Sequence, residues 1–200
     1  MLSKTEYKIL ELMFNDLTKK YSILELAKTL ELPYPQIHRT ATSLIEKKLL
    51  LSTRTGKTIL LRTKTEVCKE YISIELVRRD KILQKYRNLA IVLDDIEKIT
   101  PSQYICLVFG SYAKNKATKE SDIDLLFVIP DEYEYKTFER KIKTALIVPK
   151  TDINITTERG LLEMWQKPGQ LNVGNELLKG HIILKGAEAF LSLRRKYYAG

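Results

Sequence analysis

Apolar residues along the first third of the chain recur at helical spacing. Ile9, Leu10, Met13 and Leu17 predict an amphipathic helix over residues 5–17. Ser22, with Glu25 three residues on, fits a capping box, and Ile23, Leu26, Ala27 and Leu30 supply the short helix it would start. Leu32-Pro33-Tyr34-Pro35 interrupts the pattern, and Pro35 suits the first turn of a third helix, where a missing N–H costs nothing. That helix, 35–48, buries Ile37, Ala41, Leu44 and Ile45 and shows Gln36, His38, Arg39, Thr40, Thr42 and Ser43 on its other face. Leu49–Ser52, a polar turn around Gly56, and Thr58–Arg62 read as a β-hairpin. From about residue 65 to 99 there is neither Pro nor Gly. Ile82, Tyr86, Leu89, Leu93 and Ile96 repeat there at 4-3-4-3 spacing, which predicts one long connecting helix, 66–99. Its stripe packs on the domain that follows or, in a second reading, forms the seam of a homodimer.

After Pro101 the period changes. Tyr104–Phe109 is a continuous apolar run, as in a buried strand, and ends in Gly110-Ser111. Tyr112–Ala117 allows a turn or two of helix, with Tyr112 packing beneath it. Ser121-Asp122-Ile123-Asp124 leads into a second apolar strand, Leu125–Ile129. Asp122 and Asp124 are two apart at the mouth of that strand, so both point to one face at a separation of about 6–7 Å. Two like charges there repel by roughly 2–3 kcal/mol at an effective dielectric of about 20. A divalent cation between them reverses the sign, and hard carboxylate oxygens suit Mg²⁺ together with substrate phosphates. Gly110 lets backbone approach a ligand closely, and Ser111 at a helix start adds a hydroxyl to free N–H groups, which makes an anion site. A third carboxylate for a two-metal centre is expected at Asp152, in the alternating run Thr151–Ile155 that puts Asp152 and Asn154 on one face.

Charge and composition narrow the class. The chain has 200 residues and a net charge of +9. Seven basic residues (Arg39, Lys47, Lys48, Arg54, Lys57, Arg62 and Lys64) stand against one acid, Glu46, between Pro33 and Lys64, a stretch that suits a polyanion. Cys68 and Cys106 cannot build a disulfide framework, and with His38 and His181 they show no zinc spacing. No apolar run approaches the roughly 18–20 residues needed to span a bilayer, so a cytoplasmic protein without membrane partners is expected. A Ser-His-Asp hydrolase fits poorly, because Ser111 has no nucleophile-elbow pattern and neither histidine a recognisable partner. His181, ahead of Ile182-Ile183-Leu184, reads as a strand-edge residue.

Two resemblances follow. Three short helices and a basic hairpin over residues 1–65 resemble a winged helix-turn-helix domain. That implies DNA binding through Gln36, His38, Arg39 and Thr40 in a major groove, with Arg54 and Lys57 of the wing on phosphates; such modules also serve protein interaction. Gly110-Ser111, ten intervening residues and Asp122-Ile123-Asp124 resemble the signature of the DNA polymerase β nucleotidyltransferase superfamily, more narrowly its minimal branch. This likeness runs from about Pro101 to Tyr198, and the stretch from Asn175-Glu176-Leu177-Leu178 to Glu188 looks like the end of such domains. It implies an α+β protein in which a nucleotidyltransferase domain with a mixed sheet, 100–200, follows the winged helix and its connector.

On that resemblance Gly110 and Ser111 hold the triphosphate; Lys114, with Lys116 and Lys119, lies between the halves of the motif, where it can neutralise the β- and γ-phosphates. Asp122 and Asp124 bind two Mg²⁺ ions, and Asp152 binds the one that activates the attacking hydroxyl. The implied reaction moves an NMP, with ATP the expected NTP, onto a hydroxyl acceptor and releases pyrophosphate. Some minimal transferases act as antitoxins that attach AMP to a HEPN-type partner. The alternative is a DNA-binding regulator whose transferase-like domain senses a nucleotide without turnover. The acceptor is not legible.

Overall fold

Two reciprocal caps set the first helices. In the computed structural model, which describes residues 2–199, Ser3 and Glu6 cap α1 (Lys4–Phe14), and Ser22 and Glu25 cap α2 (Ile23–Leu30). The α1 helix ends three residues short of Leu17. Leu17 leaves the helix because its N–H donates to the carbonyl of Leu178 in the C-terminal half at 2.8 Å, while its side chain stays buried. The third helix, α3 (Tyr34–Glu46), has Pro35 in its first turn and buries Ile37, Ala41 and Leu44. Strands β2 (Leu50–Thr55) and β3 (Thr58–Thr63) form the expected hairpin, with Gly56 at φ +59° in its turn. A two-residue strand, β1 (Tyr21–Ser22), pairs with the far side of β3.

The connector is two helices, not one. They are α4 (Lys69–Lys85) and α5 (Arg87–Glu97), separated at Tyr86, which is extended at φ −118° and ψ 94°. The Tyr86 ring packs edge-on against Tyr112, with centroids 5.0 Å apart, and Asn88 Nδ2 donates to the Tyr112 hydroxyl at 2.6 Å. These contacts override the uninterrupted period and re-aim α5 across the sheet. Leu89 and Ile96 of the stripe are fully buried there, so the stripe is used within the chain.

The second half holds β4 (Ile105–Val108), the one-turn α6 (Gly110–Ala113), β5 (Ile123–Ile129), α7 (Tyr135–Ala145), β6 (Thr151–Thr157), α8 (Glu158–Trp165), α9 (Val173–Lys179), β7 (Ile182–Lys185) and α10 (Ala187–Ala199). Its sheet has the order β6-β5-β4-β7 and is mixed: β5 and β6 run parallel, and the other pairs antiparallel. Alternation along the strands splits the core in two. Leu107, Leu126, Val128 and Ile183 face Leu161, Trp165 and Phe190, in a core continuous with Ile9, Phe14 and Tyr71 of the N-terminal half. Val108, Leu125, Phe127 and Ile129 face Leu89, Val92, Phe138 and Ile142. Trp165 donates from its indole to the Gly174 carbonyl at 2.8 Å, as a core residue.

His181 directly precedes β7, the edge strand of the sheet, and faces inward from there. It is fully buried with Glu75 and Arg78 of α4. Its Nδ1 lies 2.7 Å from the Leu177 carbonyl and its Nε2 3.1 Å from Glu75, while Arg78 donates to Glu75 at 2.5 Å and to the His181 carbonyl at 2.6 Å. Burial raises the Glu75 carboxyl, but the adjoining Arg78 and His181 outweigh it and hold the group below its ordinary value. Among the described residues no helix is long and apolar enough to cross a membrane.

Candidate active site

The antiparallel pairing of β4 and β5 brings the end of one strand over the start of the other. Val108 lies opposite Leu125, and the Phe109 N–H donates to the Asp124 carbonyl at 3.1 Å. Gly110 follows at φ +64°, and a Cβ built on it would stand 1.9 Å from Asp124 Oδ2. The carboxylate therefore occupies the space where any other residue would carry its side chain. Beyond Gly110 the chain closes one helical turn: the Lys114 N–H donates to the Gly110 carbonyl at 3.2 Å and the Lys116 N–H to the Ser111 carbonyl at 2.9 Å. Ser111 is half-buried in this turn and Tyr112 is buried beneath it.

Asp152 is the register partner of Asp124 on the neighbouring parallel strand, and Asp122 stands just before β5. Asp122 and Asp152 are exposed and Asp124 half-buried. Burial pushes the Asp124 carboxyl above its ordinary value, and the charges of Asp152, Asp122 and Glu176 push the same way, against Lys114. Asn154, on the same face as Asp152, donates to its carboxylate at 3.2 Å. The structure thus brings together the three aspartates, the glycine–serine turn and Lys114.

The donor set fits a hard divalent cation. It is all carboxylate oxygen, and its central member carries mutual repulsion that a cation would relieve. Among the described residues no three acidic, His or Cys side chains close around an ion-sized space. The arrangement is an open mouth, the form suited to Mg²⁺ that completes its shell with water and phosphate oxygens.

Glu176 was not singled out as a site residue in the sequence. It sits on α9, which is placed by its Asn172 cap and by Asn175, whose amide donates to the carbonyls of Lys167 and Gln170. A lone acid on a short helix has no spacing relation to Asp122 or Asp152, so only the tertiary fold reveals it.

The residues expected to meet DNA fare unevenly. His38 and Arg39 are exposed on α3, and Arg54 and Lys57 are exposed at the hairpin tip. Gln36 instead donates to Thr5 of α1 at 3.1 Å, and the Thr40 hydroxyl donates to the Gln36 carbonyl at 2.8 Å. These two half-buried side chains are spent on packing α3. Among the described residues no hydrogen bond or ion pair joins this set to the aspartates.

Residues 89–171 match the family model of the nucleotidyltransferase domain. The match begins in α5, takes in Gly110, Ser111 and all three aspartates, and stops before α9. No curated protein and no solved structure matches the chain.

Proposed function

We propose that the protein is a Mg²⁺-dependent nucleotidyltransferase that moves an NMP, with ATP as donor, onto a hydroxyl acceptor. The observation that carries this reading is the seating of Asp124 over Gly110, in register with Asp152, inside the part of the chain similar to a nucleotidyltransferase domain. Asp122, Asp124 and Asp152 are the residues that would hold Mg²⁺, which when bound supplies charge neutralisation at the transferred phosphoryl group and a more acidic acceptor hydroxyl. Gly110 yields its side-chain space to the Asp124 carboxylate, and the Ser111 hydroxyl in the turn that follows donates to triphosphate oxygens. Lys114 balances their charge from the far end of the turn. The acceptor oxygen attacks the α-phosphorus in line, and pyrophosphate leaves.

The N-terminal unit supports a second module. Its element order, helix, short strand, two helices and hairpin, together with the β1-β3-β2 sheet, fits a winged helix-turn-helix. The exposed His38 and Arg39 on α3 and Arg54 and Lys57 on the hairpin suit a DNA duplex.

The test is transfer itself. The protein is incubated with Mg²⁺ and ATP labelled at the α-phosphate, alone and with protein, RNA and small-molecule acceptors. Label on an acceptor supports the transferase. The alternative is a DNA-binding regulator whose transferase-like domain senses nucleotide without turnover. Tight ATP binding with no label on any acceptor is its expected result.

A further inference from the structure

A cavity of about 520 Å³ lies between α1, α4, the turn after α6 and the start of β7. Its walls gather Arg78 and Lys81 from α4, Lys114 and Lys116 from the turn after α6, and Lys179 from the end of α9. Part of this charge is balanced. Lys81 Nζ sits 2.6 Å from Glu11, and Arg78 is paired with Glu75. Asp16, the other acid in the wall, accepts from the N–H and hydroxyl of Thr18. Lys114, Lys116 and Lys179 have no ion-pair partner among the described residues. Arg78 is 3% exposed, and its Nε is buried without an acceptor. Like charges gathered around a concave space raise the local concentration of anions.

The cavity adjoins the aspartates without including them. Lys114 lines it and also acts on Asp124. The α9 helix likewise carries Glu176, whose charge acts on Asp124, and, three residues later, Lys179 in the cavity wall. Arg78, Lys81 and Lys179 all lie outside the stretch similar to a nucleotidyltransferase domain, so the cavity is built at the junction of that domain with the N-terminal half. Its volume lies within the range of ligand pockets, roughly 300–1,000 Å³, and exceeds what a lone phosphate fills.

We propose that this cavity is a second phosphate-binding site, which takes the phosphate chain of a nucleotide or polynucleotide lying beside the three aspartates. Two sources share that chemistry: the polyphosphate of a free nucleotide and the phosphodiester chain of a single strand. The site binds whether or not the aspartates turn over.

The probe is inorganic tripolyphosphate, titrated calorimetrically into the full chain at low salt with EDTA present, so that no metal recruits it to the aspartates. Lys81 and Lys179 are exposed, and the K81A/K179A variant spares the core. The expected result is saturable binding that weakens about tenfold or more in K81A/K179A and is retained in Asp124→Asn, in keeping with the strength of charge-assisted contacts. Absence of binding in the wild type, or binding undiminished in K81A/K179A, overturns the proposal. ATP and a short single-stranded oligonucleotide, titrated the same way, separate the sources: the one that loses affinity in K81A/K179A carries the phosphate that the cavity takes. Retention of affinity by both overturns the assignment to nucleotides. Failure here leaves the transferase reading standing, because no step of transfer is measured.

Discussion

The Cβ position of Gly110 falls 1.9 Å from Asp124 Oδ2, so the glycine and the aspartate share one volume. Either the carboxylate is where it is or residue 110 has a side chain. The positive φ of Gly110 adds a second barrier to substitution.

Gly110→Ala is therefore expected to move the central carboxylate, and displacement of a reacting group by about 1 Å costs on the order of 100-fold in rate. The local strain lowers stability by only about 1–2 kcal/mol. Pyrophosphate release together with thermal unfolding separates the two effects. Wild-type rates in Gly110→Ala would contradict the geometry.

Glu6 gives the fold a defined acid limit. Its carboxyl is buried, which raises it, but hydrogen bonds from Lys47, the Ser3 N–H and Ser43 bring it from 4.5 to about 2. A group lowered in the folded state stabilises the fold fully above its unfolded value and loses that contribution as pH falls toward the folded one. The stability it supplies, roughly 2–3 kcal/mol, is thus present above about pH 4.5 and lost between there and about pH 2. Urea unfolding of Glu6→Gln and wild type across pH 2–7 should show a gap at neutral pH that closes on acidification. A gap independent of pH would contradict the assignment.

Glu75 holds two buried partners, the Arg78 guanidinium and the His181 imidazole. Removing its charge in Glu75→Gln strands them, and breaking a buried pair in this way costs about 3–5 kcal/mol. The midpoint of denaturant unfolding reads this directly, and a loss below about 1 kcal/mol would contradict the network.

The proposed DNA-binding role of the N-terminal unit makes Arg54 and Lys57 two phosphate contacts, so Arg54→Ala/Lys57→Ala is expected to weaken duplex binding and lower the salt slope by about 2. Titration of a DNA duplex at several salt concentrations measures it. An unchanged slope would take the hairpin off the DNA.

What the sequence disclosed and what it hid follow one division. Local chemistry was legible: the Ser22–Glu25 cap, Pro35 in a first turn, the hairpin around Gly56, and the two buried strands flanking Gly110-Ser111 and Asp122-Ile123-Asp124. Each of these is decided within a few residues. The break at Tyr86 was hidden because its cause is an aromatic contact with Tyr112 across the fold. Leu17 fits the helical period and still leaves the helix, since its N–H is satisfied by Leu178. The burial of His181 was hidden because its partner, Glu75, lies on a helix distant in sequence. Glu176 and the basic cavity were invisible for the same reason: their members share no spacing, only a place.

The most direct measurement is pyrophosphate release from ATP and Mg²⁺, with protein, RNA and small-molecule hydroxyl acceptors supplied, by the wild type, Asp124→Asn and Asp152→Asn, each with its folded state checked by thermal unfolding. Release by the wild type that falls at least about 1,000-fold in Asp124→Asn, the scale expected for a group that stabilises transition-state charge, is the predicted result. Equal release by a folded Asp124→Asn would contradict the account.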